Sequence, residues 1–184
     1  MGIIISAFAG VGKSYLGKKY NNILDLESTY YKWLDEGVKK LTEEERKGNK
    51  NRTLNPRWPK NYIDEIIRQK DNYDIVLIQL SHVRLKNEEI FKYFNEKNIN
   101  YYVARPKLSG WKYIEKRLKA RGNTEDFISQ VKDNFNVFIN EFSKPDYNQI
   151  IIEDGEFLED ALIKGGYIKW LSFLRCGQNL KYHF

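Results

Sequence analysis

The run Ile3-Ile4-Ile5 is followed by Ala7-Phe8-Ala9-Gly10-Val11-Gly12-Lys13-Ser14 and then by Tyr15-Leu16-Gly17-Lys18-Lys19-Tyr20. Three consecutive β-branched residues read as a buried strand, and the residues after Ser14 as the first turns of a helix. A strand that passes through a glycine-rich turn into a helix is the context a phosphate-binding loop requires.

A triphosphate needs several donors converging from one side. Consecutive backbone N–H groups at a helix start supply them where glycines let the chain curl without Cβ clashes. Gly12-Lys13-Ser14, with a small residue five positions before Gly12, is the Walker A pattern, except that Ala7 stands where the commonest form has glycine. A methyl group is the least obstructive substitute while φ stays negative. Ala9, Gly10, Val11, Gly12, Lys13, Ser14 and Tyr15 therefore form the candidate ATP-binding loop, in which Lys13 reaches the β- and γ-phosphates and Ser14 puts its hydroxyl on Mg²⁺.

The chain of 184 residues suits one domain with a substantial core. With 41% hydrophobic, 30% charged and 15% aromatic residues, it reads as a soluble globule and not as a disordered chain. A net charge of +6 points to an anionic partner, nucleotide or nucleic acid. Cys176 is the single cysteine, which excludes an internal disulfide and a cysteine metal cluster, and makes a reducing, cytoplasmic setting the expectation. The N-terminal apolar run lacks the basic leader of a signal peptide, and no stretch has the length of a membrane span.

Asn22 to Ser28 reads as a second strand ending in acids. In a parallel sheet, Asp25 and Glu27 at its carboxyl end would face the phosphates; alternatively, they lie at the start of a helix beginning near Ser28. Residues 37–60 are basic and polar and read as an exposed insertion. At its end Arg57 and Trp58 either hold a phosphate and stack a base of the substrate, or Trp58 clamps the insertion onto the body. Tyr73 to Leu80 is the clearest strand, apolar on both faces and hence central. It delivers Ser81-His82-Val83-Arg84, with Arg84 a phosphate ligand or a surface ion-pair partner. A helix from Lys86 to about Lys97 and a strand from Asn100 to Ala104, stopped by Arg105-Pro106, follow.

Between Lys107 and Arg121 stand six basic residues and one acid. Arg117 and Arg121 are four apart, on one helical face, before Gly122-Asn123 closes the helix. Such a cluster either neutralises a transferred phosphoryl group or is a solvated basic face. Thr124, with Glu125 and Asp126 behind it, caps a helix whose Phe127, Ile128, Val131, Phe135, Phe138, Ile139 and Phe142 have core spacing. Tyr147 to Ile152 is the fifth strand, a helix spans about 156–163, and Tyr167, Trp170 and Phe173 belong to a tail that packs back or makes a homodimer contact. Five strands alternating with helices give an α/β parallel sheet covered on both faces.

With this loop, Asp25, Arg84 and the Arg117/Arg121 pair, the chain resembles the nucleoside monophosphate kinase-like P-loop kinases, in particular small phage-type nucleotide kinases, over roughly residues 2–163. The resemblance implies a three-layer sandwich: a core of about 2–27, 72–104 and 125–163, an NMP-binding insertion at about 28–71, a lid at about 105–124 and a C-terminal tail at 164–184. It further implies that Asp25 holds the metal through water or orients the acceptor, that Arg84 grips the acceptor phosphate, and that Arg117 and Arg121 clamp the transferred group. Gly155 falls where such kinases place the adenine of ATP. The implied reaction is transfer from ATP to a (deoxy)nucleoside monophosphate. A kinase acting on a hydroxyl of a nucleoside, metabolite or nucleic acid, a nucleotide switch, and a nucleic-acid-binding module are the alternatives.

Overall fold

The computed structural model of the chain describes residues 2–34, 52–79 and 88–168. The isoleucine run is strand β1 (Ile3–Ala7), and the glycine turn delivers the chain into helix α1 (Lys13–Lys19). There follow β2 (Ile23–Leu26), α2 (Thr29–Lys32), α3 (Lys60–Gln69), β3 (Ile75–Ile78), α4 (Glu88–Glu96), β4 (Tyr101–Pro106), α5 (Trp111–Ala120), α6 (Glu125–Phe142), β5 (Gln149–Ile152) and α7 (Leu158–Lys164), with a 3-10 turn at Leu108–Gly110. The five strands form one parallel sheet in the order β2-β3-β1-β4-β5. The chain winds to one side of β1 and then to the other, so the loop after β1 opens at the reversal, where ligand crevices form at strand carboxyl ends.

All four residues of β3 are buried, which requires helices on both faces of the sheet. On one face Phe8, directly after β1, meets Phe135 and Phe138 of α6 at ring distances of 5.4 and 5.0 Å. Ile128, Val131, Phe135, Phe138, Ile139 and Phe142 are buried as their spacing predicts, and Thr124 Oγ1 accepts the Phe127 N–H at 3.3 Å as the helix cap. Phe127 departs from that reading. It lies in the first turn of α6 and remains 38% exposed, on the wall of the main cavity.

β4 does not stop before Arg105-Pro106 but runs through them, with Arg105 opposite Ile151 and Pro106 opposite Ile152. The N–H groups of Val103 and Lys107 point to β5, bonding Asn148 and Ile152, so alternation turns the nitrogen of Pro106 to the β1 side. Pairing with β1 ends at Ala104, and a missing donor there costs no ladder bond.

The described ends of the insertion are tied together. Trp33 and Leu54 form an antiparallel bridge, flanked by bonds of 2.8 Å from the Leu34 N–H to the Thr53 carbonyl and from the Asn55 N–H to the Lys32 carbonyl. Trp58 is buried, 4% exposed, and stacks on Tyr62 at 5.4 Å. Tyr167 packs edge-on against Tyr102 at 5.2 Å; Trp170 and Phe173, like His82 and Arg84, lie outside the described residues. Among the described residues no helix is long and apolar enough to cross a membrane.

Candidate active site

The glycine turn is built for anion contact. Gly10 and Gly12 have φ of +78° and +105°, which side-chain-bearing residues rarely adopt. Ala7 needs no such freedom: it is the last residue of β1, paired with Ala104, and is not among the positive-φ residues. The first helical bond of α1 runs from the Leu16 N–H to the Gly12 carbonyl, leaving the N–H groups of Lys13, Ser14 and Tyr15 outside the helical ladder. Val11 is turned into the core, and its carbonyl accepts the Leu158 N–H at 2.9 Å, anchoring the turn to α7.

Lys13 is 7% exposed, and its Nζ donates to the carbonyls of Ala7 and Phe8 at 3.0 and 2.9 Å. Burial pushes its ammonium below the ordinary value; Asp25 and Glu27 pull it back up, and Arg121 lowers it further. Ser14 Oγ donates to Asp25 Oδ2 at 2.7 Å. Burial raises the Asp25 carboxyl, against the attraction of Lys13 and the Ser14 hydrogen bond. Asp25 arrives there because β2 and β3 pair in register, Asp25 opposite Leu77, at the end of the sheet where β1 releases the loop. Hydroxyl and carboxylate oxygens side by side are hard donors suited to Mg²⁺. Among the described residues no three or more His, Cys, Asp or Glu side chains gather to hold a metal by themselves.

A cavity of ≈ 1000 Å³ spreads from this centre. Ala9, Gly10, Gly12, Lys13 and Ser14 form its loop side, and Arg121 stands at the same wall as Phe127. Asp25 and Glu27 line the cavity as well, together with Thr29, Tyr30, Trp33, Arg52 and Gln79. Glu27 combines the two readings of the sequence. Its Oε1 accepts the Thr29 N–H and Oγ1 at 3.1 and 2.7 Å, capping α2, while the residue lines the cavity.

Arg117 and Arg121 part company. Arg121 is the C-terminal cap of α5, and its N–H donates to the Arg117 carbonyl at 3.2 Å, so the two stay one turn apart. Burial, and then the nearby charge of Arg121, lower the Arg117 pKa, yet the two side chains meet different partners. Arg117 is not on the cavity wall. Its Nη2 donates to the carbonyls of Gly155 and Glu156 at 3.1 and 2.9 Å, and its guanidinium lies 3.7 Å from the centroid of the Phe157 ring. Gly155, with φ +86°, faces the Tyr113 ring beside this stack. The Phe157 ring in turn backs Gly12, where an added Cβ would lie 3.4 Å from it.

Of the expected substrate residues, Arg57 and Trp58 do not line the cavity. Trp58 belongs to the clamp and not to the cavity, because its ring is packed on Tyr62. Arg57 is exposed and outside the cavity, its N–H held by the Asn55 side chain at 2.9 Å. The Tyr15 side chain is 57% exposed beneath Lys19, so what Tyr15 offers the loop is its N–H group. In place of Arg57 and Trp58 stand Trp33, Arg52, Gln79 and Phe127, which no local spacing marked.

No protein-family model matches the chain, and no curated protein sequence does. Among solved structures, the tunicamycin resistance protein of Deinococcus radiodurans is similar with a TM-score of 0.54 at 15% identity, over 90% of this chain and 96% of that one. A gluconokinase from Sinorhizobium meliloti is similar with a TM-score of 0.50 at 13% identity, over 96% of this chain and 97% of that one. At these identities what is shared is the fold, an all-parallel 2-3-1-4-5 sheet of the P-loop kinase type.

Proposed function

We propose that this chain is a P-loop kinase that moves the γ-phosphoryl group of ATP, with Mg²⁺, onto the phosphate of a (deoxy)nucleoside monophosphate. The reading rests on one cavity that joins the loop and the Ser14–Asp25 pair to a second wall carrying Glu27, Thr29, Tyr30 and Trp33. Triphosphate hydrolysis needs only the first of these walls. A phosphotransferase must seat donor and acceptor together.

Ser14 and Asp25 would hold Mg²⁺, whose charge offsets that of the β- and γ-phosphate oxygens. Lys13 would exchange the carbonyls of Ala7 and Phe8 for phosphate oxygens, a swap that also answers the buried charge. An oxygen of the acceptor phosphate attacks the γ-phosphorus in line while the bond to the β,γ-bridging oxygen breaks, and ADP leaves with that electron pair. Arg121 meets the charge that spreads over the transferred group, and Arg84 takes the acceptor phosphate on the strength of the resemblance. Arg117, Phe157 and Gly155 serve the base of ATP: a guanidinium stacked on one ring is a ready partner for another.

The raised carboxyl of Asp25 favours a second reading, in which the acceptor is a hydroxyl and Asp25 takes its proton. One assay separates the two. ADP formation is measured with ATP and Mg²⁺ against nucleoside monophosphates, nucleosides, single-stranded DNA and gluconate, with Lys13→Ala as control. Stimulation by monophosphates, lost in the control, supports the first reading; stimulation only by hydroxyl acceptors supports the second. Acceptor-independent hydrolysis defeats both.

A further inference from the structure

We infer that Arg52, steadied against the Trp33 ring, receives the anionic group of the acceptor, and that the acceptor joins a planar ring to that anion. The inference rests on the kinase reading and deepens it. Its first support is the strap between Trp33 and Leu54. In an antiparallel pair, residues two apart share a face, so Arg52 stands on the face of Leu54 and diagonal to Trp33. The guanidinium accordingly lies 5.8 Å from the centroid of the Trp33 ring. The strap thus carries a cation from the basic insertion to the wall of the cavity that Tyr30 and Gln79 also line.

The second support is charge. Glu27 lines the cavity next to Thr29 and Tyr30, and its carboxylate repels an incoming phosphate. A countercharge is needed there, separate from Lys13 and Arg121 on the loop side. A guanidinium supplies it with a planar fork that matches phosphate oxygens. A neutral polyol would need neither the arginine nor the aromatic faces of Tyr30 and Trp33, whereas a base linked to a phosphate uses both. Arg57, the arginine that the local sequence singles out, is exposed and off this wall.

The test is equilibrium binding by calorimetry to the full chain, without turnover. The probes are the common ribo- and deoxyribonucleoside monophosphates, their nucleosides and a non-hydrolysable ATP analogue. The expected result is that at least one monophosphate binds, that Arg52→Gln weakens it by about tenfold or more, and that Arg52→Lys, which keeps the charge but loses the fork, weakens it less. Nucleoside and ATP-analogue affinities should change by less than about twofold, which also shows that the variants fold. Unchanged monophosphate affinity in Arg52→Gln, or a loss on Arg57→Gln instead, overturns the inference. So does binding of the ATP analogue with no monophosphate bound, which leaves a kinase with another acceptor. If the ATP analogue fails to bind, the kinase reading falls while the monophosphate titrations still decide the role of Arg52.

Discussion

Gly17 of α1 lies against Asp25 of β2 so closely that a Cβ on the glycine would stand 3.0 Å from the aspartate Cβ and 3.1 Å from its amide nitrogen. Helix and strand approach to backbone contact here, and the carboxylate stands 2.7 Å from the Ser14 hydroxyl. The glycine is needed for its size, since its neighbours are regular helix.

Gly17→Ala should therefore act on the metal site. We expect about 1–3 kcal/mol of destabilisation from overpacking. With it should come a fall in kcat of up to about a hundredfold, because the strand must move away from Ser14. Urea melts and a Mg²⁺ titration of ADP formation check this; an unchanged Mg²⁺ response would separate Gly17 from the site.

The Asp25 carboxyl is raised above the ordinary 3.8 by burial. A folded-state pKa above the unfolded one contributes stability that is complete below the unfolded value and is lost as pH rises through the folded value. At neutral pH the ionised, buried carboxylate is thus a burden. Asp25→Asn should raise Tm at pH 7, with the gain fading towards about pH 4, while kcat falls by about 10² or more. Thermal melts across pH, run beside the kinase assay, test both halves; a variant less stable at pH 7 than the parent contradicts the first.

The different partners of Arg117 and Arg121 imply separate kinetic signatures. Arg121→Ala, at the phosphate cavity, should lower kcat by about 10³ with little change in ATP affinity. Arg117→Ala, at the Phe157 stack, should raise the KM for ATP by about tenfold and spare kcat. Steady-state kinetics with ATP varied distinguish them, and an exchange of the two patterns would reverse the assignment.

Trp58 is a structural anchor: it stacks on Tyr62, whose hydroxyl donates to the Leu26 carbonyl at 2.7 Å, one residue before Glu27. Trp58→Ala should cost about 3–5 kcal/mol. Trp58→Phe should cost less and leave the acceptor KM within about threefold of the parent. A large KM change in a Trp58→Phe protein of near-parental stability would return this side chain to the substrate.

The parts of the fold and site that were legible in the sequence share one property, which is that their determinants are local. Ile3 to Ser14 encode strand, turn and loop within a dozen residues, and Thr124 encodes its cap three residues from the N–H it accepts. Asp25 was readable because the end of a strand is the end of a parallel sheet. Arg52 was not, because its position depends on a pairing between Trp33 and Leu54 that no local pattern announces. Phe127 kept the period of α6, yet period fixes a direction around the helix and not how far the sheet extends beneath its first turn. Arg117 and Arg121 keep the four-residue spacing, but spacing does not say which of them meets the cavity and which the carbonyls of Gly155 and Glu156.

The bonds between Leu34 and Thr53 and between Asn55 and Lys32 give the chain a single doorway on the acceptor side. Whatever lies between the two jambs enters and leaves at one point, so its length and chemistry are not read by the register of the sheet. Loop-closure entropy grows only slowly with such a change. The chain between the jambs can therefore lengthen or shorten at little cost, while Trp33 and Arg52 on either side of it keep their places on the cavity wall.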